Sequence, residues 1–207
     1  MTIITPIPFA PPRPLNAGSP FIFGFGGGVE PSEWCVEAKL AGERVLIHRE
    51  TGEIFNRRMT VYSKEHRIRK AVDVLLARLQ PHATKLAPGT MDPLFEWIDA
   101  EALTCQGNSL GEGSVSVIDV DAPGDLVERR ALFEHLATFP LTGKAKNDSV
   151  YKMPRFPMSK ALWLWNKTKG LDSLFEGVVM KRLNSPYTKE FHSTTKETTN
   201  WMKSRWA

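Results

Sequence analysis

The stretch Val36-Glu37-Ala38-Lys39-Leu40-Ala41-Gly42-Glu43-Arg44 is the most chemically suggestive part of the chain. A lysine amine attacks an electrophilic phosphorus only when deprotonated, and nearby cations together with desolvation favour that form. Downstream, in order, stand Asn56-Arg57, Ile98-Asp99-Ala100-Glu101, Val117-Ile118-Asp119-Val120, Phe175-Glu176-Gly177-Val178-Val179-Met180-Lys181 and Trp201-Met202-Lys203-Ser204-Arg205. If these pieces converge, Lys39 lies beside Arg44, Arg57, Lys181 and Lys203, which also stabilise charge developing on a phosphate. Glu176, with Asp99 and Glu101, then supplies the oxygen ligands that Mg²⁺ favours. Singly, each piece reads as something ordinary: a lysine on a solvated surface, a strand with an acidic end, an amphipathic strand. Their joint order and spacing is the signal.

That ordered set resembles the collinear motifs of the covalent nucleotidyltransferases, which comprise ATP-dependent DNA ligases, RNA ligases and mRNA-capping enzymes. The resemblance runs from about Glu37 to Arg205 and is nearest to the adenylation domain of a DNA ligase. Leu126-Val-Glu-Arg-Arg130 and Ser185-Pro186-Tyr187 add to it. It implies an ATP-dependent polynucleotide ligase of DNA repair or replication, which forms a lysyl-AMP on Lys39 and seals 5′-phosphate/3′-hydroxyl nicks with ATP and Mg²⁺. It further implies that Glu37 reads the adenine, that Glu101 meets the ribose, and that Arg44 and Arg57 contact the nucleotide or the nick 5′-phosphate. Lys203 and Arg205 meet the phosphates, Ile118 and Lys181 complete the nucleotide pocket, and Glu176 with Glu101 holds the metal. The expected partner is nicked duplex DNA. RNA ends are the alternative substrate, and a non-catalytic nucleic-acid-binding relative is the alternative from another class.

The chain departs from the family pattern in several places. The Lys-x-Asp-Gly motif has Ala41 at its third position, which removes a carboxylate and implies reduced activity. Ala100 replaces a glycine, Ile118 an aromatic residue that stacks on adenine, and Arg205 a lysine, which keeps charge but changes donor geometry. The sequence ends just after the fifth motif, so no oligonucleotide-binding (OB) domain is expected.

The elements that must position these residues can be read from periodicity. Arg44–Arg49 and Ile54–Arg58 flank Glu50-Thr51-Gly52-Glu53, a hairpin signal. Ile68, Ala71, Val72, Leu75, Leu76 and Leu79 fall on one helical stripe, and the helix carrying them is expected to open at Ser63 with Lys64, Arg67 and Lys70 on its solvent face. Residues 94–103 and 114–120 read as buried strands. Asp125 is an N-cap for a helix of about a dozen residues that stops before Pro140. A helix is expected over 159–168, and strands over 175–181 and 201–206. Strands and helices alternate without a regular βαβ rhythm, so the expectation is an α+β domain of mainly antiparallel sheets with flanking helices, the ligase-type nucleotidyltransferase fold. Prolines 6, 8, 11, 12 and 14 and the run Gly24–Gly28 make residues 1–28 an extended Pro/Gly-rich arm before a domain at 29–207. That glycine run lacks a following Gly-Lys-Ser/Thr and is not a P-loop.

Composition narrows the function classes. The chain has 207 residues, 42% hydrophobic, with six Trp and eleven Phe, which is enough apolar surface to build a core rather than stay disordered. Two cysteines, Cys35 and Cys105, give neither a metal spacing nor a disulfide framework. There is no apolar run of membrane-spanning length and no basic start leading into an apolar segment, so a cytoplasmic, monomeric protein without a membrane role is expected. The formal charge is +4, and residues 181–207 alone hold six basic and two acidic side chains. A second basic cluster, Arg57, Arg58, Lys64, Arg67, Arg69 and Lys70, is opposed within its own segment by Glu65. Such clusters attract phosphates.

Overall fold

Period-two alternation decides how the strands are used. Along β2 (Trp34–Leu40), Trp34, Val36, Ala38 and Leu40 enter one apolar core while Glu37 and Lys39 face the opposite way. The same division holds along β3 (Glu43–His48) and β5 (Trp97–Ala102), where Val45, Ile47, Ile98, Ala100 and Ala102 enter a second core. Each sheet therefore has an apolar face to cover and a polar face left for chemistry.

The computed structural model describes residues 9, 11–16, 30–83, 95–104, 111–142, 145–171, 174–189 and 197–206, with the backbone alone for residues 80–83 and 197. The Gly24–Gly28 run and Cys105 lie outside the described residues. The remaining strands are β1 (Arg13–Asn16), β4 (Ile54–Asn56), β6 (Val115–Val120), β7 (Val150–Lys152), β8 (Arg155–Pro157), β9 (Phe175–Arg182) and β10 (Glu197–Arg205), and the helices are α1 (Arg69–Ala83), α2 (Leu126–Ala131) and α3 (Ala161–Lys169). Among the described residues two five-stranded sheets form, with orders β1-β10-β9-β2-β8 and β4-β3-β5-β6-β7. All pairings are antiparallel except β1 with β10 and β6 with β7. The architecture is the expected α+β arrangement. Helix α3 covers the first sheet with Ala161, Leu164 and Trp165, and α1 covers the second with Ala71, Val72, Leu75 and Leu79. Among the described residues no helix is long and apolar enough to cross a membrane.

Helix α1 begins at Arg69 rather than Ser63. Residues 63–67 offer no apolar side chain to the stripe until Ile68, and they form turns instead, with the His66 amide donating to the Ser63 carbonyl at 3.1 Å. Asp125 caps α2 as expected: its carboxylate accepts from the Val127 and Glu128 amides, and Glu128 closes the capping box. The helix is six residues long, not about twelve. Beyond it the amides of Leu132, Phe133 and Leu136 each donate to the carbonyl three residues back, and these tighter turns sink Phe133 and Leu136 into the core. Near the N-terminus, Phe9 is fully buried with Leu46, Phe55 and Trp97, and β1 lies at a sheet edge, where the missing Pro14 amide costs no ladder bond.

Candidate active site

The polar faces of the two sheets enclose a cleft of about 700 Å³, within the size range of small-molecule sites. Its floor depends on a local irregularity. β2 and β9 pair regularly from Trp34↔Arg182 to Lys39↔Gly177, and then Leu40 pairs with Phe175, which leaves Glu176 as an extra residue. A bulge of this kind breaks the alternation and re-aims one side chain: Phe175 and Val178 both enter the core, while Glu176 faces the cleft. Gly177 makes it possible. Its φ is +151°, and a Cβ there would lie 1.9 Å from the Ser204 carbonyl oxygen on β10. Glu176 thereby meets Lys39, whose Nζ donates to Glu176 Oε1, and Arg205 Nη2 reaches the same oxygen at 3.1 Å. Gly42, in the β2–β3 turn, also permits a close approach, since a Cβ there would lie 2.6 Å from the Ala102 carbonyl oxygen and 2.9 Å from Glu101 Cγ.

Glu37, two residues before Lys39, is only 2% exposed. Lys181 Nζ sits 2.6 Å from its Oε2 and Arg155 Nε 3.1 Å from its Oε1. Burial alone would push this carboxyl up, but Lys181, Arg155 and Arg130 together hold it below the ordinary carboxylate range. Lys181 also donates to the Ile118 carbonyl at 3.2 Å and lies 4.5 Å from the centre of the Trp201 ring. Arg44 is fixed from several sides. Asp99 takes it in a bidentate pair, with Nε to Oδ1 at 2.8 Å, and its Nη1 donates to the Pro12 carbonyl. Tyr187 donates to the same Asp99 at 2.9 Å, and Trp201 lies under the guanidinium at 5.3 Å.

Glu101 is a buried carboxylate of the cleft whose pKa burial raises. Desolvation raises its pKa from 4.5 to about 7, with Glu176 and Asp99 adding to the rise and Lys39 and Arg44 opposing it. Among the described residues no group of three or more His, Cys, Asp or Glu side chains is arranged to hold a metal. Glu101 and Glu176 nonetheless fit Mg²⁺, which is commonly held by one or two carboxylates together with substrate phosphates. At the mouth, Asn56 Oδ1 accepts from the Arg58 and Thr60 amides at 2.8 and 3.1 Å, a local turn that presents Arg57 and Arg58 to the cleft. Eight cationic side chains and four carboxylates line the cleft, a balance suited to a polyphosphate.

Lys39, Arg44, Arg57, Glu37, Glu101, Ile118, Glu176, Lys181, Lys203 and Arg205 all line this one cleft. Ala41 does not line it; its amide donates to the Leu174 carbonyl at 2.9 Å. Ile118 owes its position to a second bulge, because Asp99 pairs with Asp119 and Ala100 with Val117. Sequence reasoning missed Arg155, which holds Glu37 from a strand 118 positions away and which no local pattern marks. It also missed Arg13, it read Arg58 as part of a basic surface cluster rather than of the cleft, and it gave no role to Trp201, which shares a strand face with Lys203 and Arg205. Asp119, at the end of the third motif, turns from the cleft. It forms a fully buried bidentate pair with Arg129 at 2.9 and 3.0 Å, and Arg129 Nη1 donates to the Ser185 and Gly124 carbonyls. The basic segment after the hairpin is partly neutralised: Arg67 pairs with Glu112 at 3.1 Å, Arg69 with Asp73 at 3.0 Å and Lys70 with Asp148 at 2.9 Å.

No protein-family model and no curated protein matches the chain. Solved structures do. The ligase domain of M. tuberculosis LigD aligns with a TM-score of 0.57 at 15% identity, over 95% of this chain and 59% of that one. A mycobacterial DNA ligase D complexed with ATP gives 0.57 at 16% identity, over 95% and 60%. A Lig E DNA ligase gives 0.54 at 12% identity, over 94% and 68%. The chain thus spans about three-fifths of the length of the ligase D structures. Two sheets closing on a cleft around Lys39, matched over nearly the whole chain by these domains, give the protein the fold of the nucleotidyltransferase domain of DNA ligases.

Proposed function

We propose that the chain is the nucleotidyltransferase core of an ATP-dependent polynucleotide ligase that seals 5′-phosphate/3′-hydroxyl nicks in DNA. The observation that carries this reading is Lys39 on the floor of a cation-lined cleft, hydrogen-bonded to Glu176. Glu176 accepts the proton of Lys39, which frees the amine lone pair to attack the α-phosphorus of ATP. A P–N bond forms, the bond to the bridging oxygen breaks, and pyrophosphate leaves with that electron pair. Arg44, Lys181, Lys203 and Arg205 offset the charge on the phosphates as it redistributes, and Glu37 receives the adenine edge. An oxygen of the nick 5′-phosphate then attacks the AMP phosphorus and returns the electron pair to the Lys39 nitrogen. The 3′-hydroxyl displaces AMP in turn, losing its proton as the new ester forms, with Arg57 and Arg58 at the mouth to receive the 5′-phosphate. When bound at Glu101 and Glu176, Mg²⁺ would polarise the reacting phosphate.

The test is a mass spectrum of the full chain after incubation with ATP and Mg²⁺. The expected result is a gain of one AMP, mapped by peptide analysis to Lys39 and abolished in Lys39→Ala; a label on any other lysine overturns the assignment. A non-catalytic nucleic-acid-binding relative is the second reading, favoured by Ile118 standing in the cleft in place of a stacking aromatic residue, and it predicts no AMP adduct. Sealing of nicked DNA against nicked RNA by the adenylated protein decides the substrate.

A further inference from the structure

Glu37 has more positive charge around it than its own neutralisation requires. Lys181 of β9 takes its Oε2 at 2.6 Å and Arg155 of β8 its Oε1 at 3.1 Å, while Arg130 of α2 adds to the field. Lys181 alone balances the carboxylate, and it is fixed independently by the Ile118 carbonyl and the Trp201 ring. Arg155 is the surplus cation. Strand register places it: Cys35 pairs with Pro157, Val36 with Phe156 and Glu37 with Arg155, so guanidinium and carboxylate stand side by side on one face of the sheet. Arg155 itself lies outside the cleft, on the wall of a neighbouring cavity. Its other contacts are poor, since Nη1 stands 3.5 Å from the Leu126 carbonyl and the buried Nη2 has no acceptor among the described residues. A guanidinium so weakly satisfied elsewhere is held by Glu37, and holds it in return.

The consequence concerns which base the cleft accepts. An ionised carboxylate only accepts hydrogen bonds, whereas a protonated one also donates. Burial pushes Glu37 toward the protonated form, and Lys181, Arg155 and Arg130 together reverse that push. With a cation on each oxygen, the plane of the carboxylate is fixed as well, and each oxygen keeps lone-pair capacity for the base edge. The 6-amino group of adenine donates into such an acceptor. The 6-oxo group of hypoxanthine or guanine meets it with a second acceptor, and a fixed carboxylate cannot shift to the neighbouring N1–H that those bases offer instead. Resting on the reading of the cleft as an ATP site with Glu37 toward the base, we propose that Arg155 is a positioning residue that holds Glu37 as a charged acceptor and so makes the cleft select 6-aminopurine over 6-oxopurine nucleotides. Without Arg155, one oxygen loses its cation, desolvation prevails, and the protonated carboxyl can donate to a 6-oxo group.

The test is equilibrium binding of ATP and of inosine triphosphate (ITP), which differ only in the 6-amino or 6-oxo edge, to the full chain by calorimetry without divalent metal. The parent is expected to prefer ATP by about a hundredfold or more. Arg155→Met should lower that preference by about tenfold, and Arg155→Lys, which keeps the charge, should retain most of it. Arg155→Gln keeps a donor and drops the charge, so it should behave as Arg155→Met does, and it serves in place of that variant should the apolar one not fold. Glu37→Gln should lower the preference likewise, and adding Arg155→Met to it should change the ratio no further, because Arg155 acts through Glu37. A parent that binds ATP and ITP equally would overturn the proposal. So would an Arg155→Met variant that weakens both nucleotides alike, which would make Arg155 a packing group, or one that shifts the ratio equally in the Glu37→Gln background. The ligase reading is separated by the adduct: ATP preference without an AMP adduct on Lys39 keeps this proposal and removes that reading. An adduct formed equally from ATP and ITP does the reverse, and a parent that binds neither nucleotide overturns both.

Discussion

Glu101→Gln should make the nucleotide-free, metal-free protein more stable at pH 8 and leave it unchanged at pH 4. The reason is the burial that lifts the Glu101 carboxyl from 4.5 to about 7. A folded-state pKa above the unfolded one means that the native protein holds more protons in that window. Stability therefore falls as pH rises from about 4.5 to about 7, and the cost is fully present above it. A displacement of that size corresponds to about 3 kcal/mol. For a domain of this length, each kcal/mol moves Tm by about 2–4 °C, so the variant should melt roughly 6–12 °C above the parent at pH 8. Thermal unfolding of both proteins across pH 4 to 8 checks this, and the difference between the curves removes the titrations of Glu37 and Asp119 that they share. A gap that stays constant with pH would show that Lys39 and Arg44 fully offset the desolvation, and the reasoning would fail. The same substitution removes an acidic group proposed to meet ribose and metal, so it should also weaken ATP-dependent adenylation.

Three further outcomes can be checked. Gly177→Ala forces a Cβ into the Ser204 carbonyl and should cost more than about 3 kcal/mol in urea unfolding; a loss below about 1 kcal/mol would mean that the β9–β10 contact is looser than described. Changing Lys64, Arg67 and Lys70 together to alanine should reduce the salt slope of nicked-duplex binding by only about one phosphate equivalent, because Arg67 and Lys70 are already paired with Glu112 and Asp148. A loss of three phosphate equivalents would show that those acidic partners yield to DNA. Ala41→Asp should leave the adenylation rate within about twofold, the scale of substitutions outside a site, since position 41 does not line the cleft; a tenfold rise would identify the missing carboxylate as the deficit.

What could be read from the sequence was local or collinear. The hairpin, the stripe from Ile68 to Leu79 and the Asp125 cap depend on residues within a few positions of one another. The residues placed in the cleft came from the order of motifs, an order that the fold converts into one surface. What could not be read depends on partners far along the chain. Nothing near Arg155 announces Glu37, and nothing near Asp99 marks it as the brace of Arg44 together with Tyr187, 88 positions later. The bulges at Glu176 and Ile118 were equally hidden, because alternation read from one strand assumes that its neighbour keeps step. The start of α1 was missed for another reason: polar residues such as Lys64 and Arg67 tolerate helix and turn alike, and the first buried contact, Ile68, decides between them.

β1 beside β10 has a consequence for how the protein is made. These first and last strands pair in parallel, and the cleft takes Arg13 from one and Trp201, Lys203 and Arg205 from the other. Most of the second sheet can assemble while the chain is still emerging from the ribosome, but this wall cannot exist until β10 has cleared the exit tunnel. A nascent chain therefore carries Lys39 without the complete cleft until β10 joins β1. Closure between such distant segments is slow by its nature. Refolding followed by nucleotide binding should accordingly lag behind refolding followed by burial of Trp97, which sits in the core reached by earlier strands.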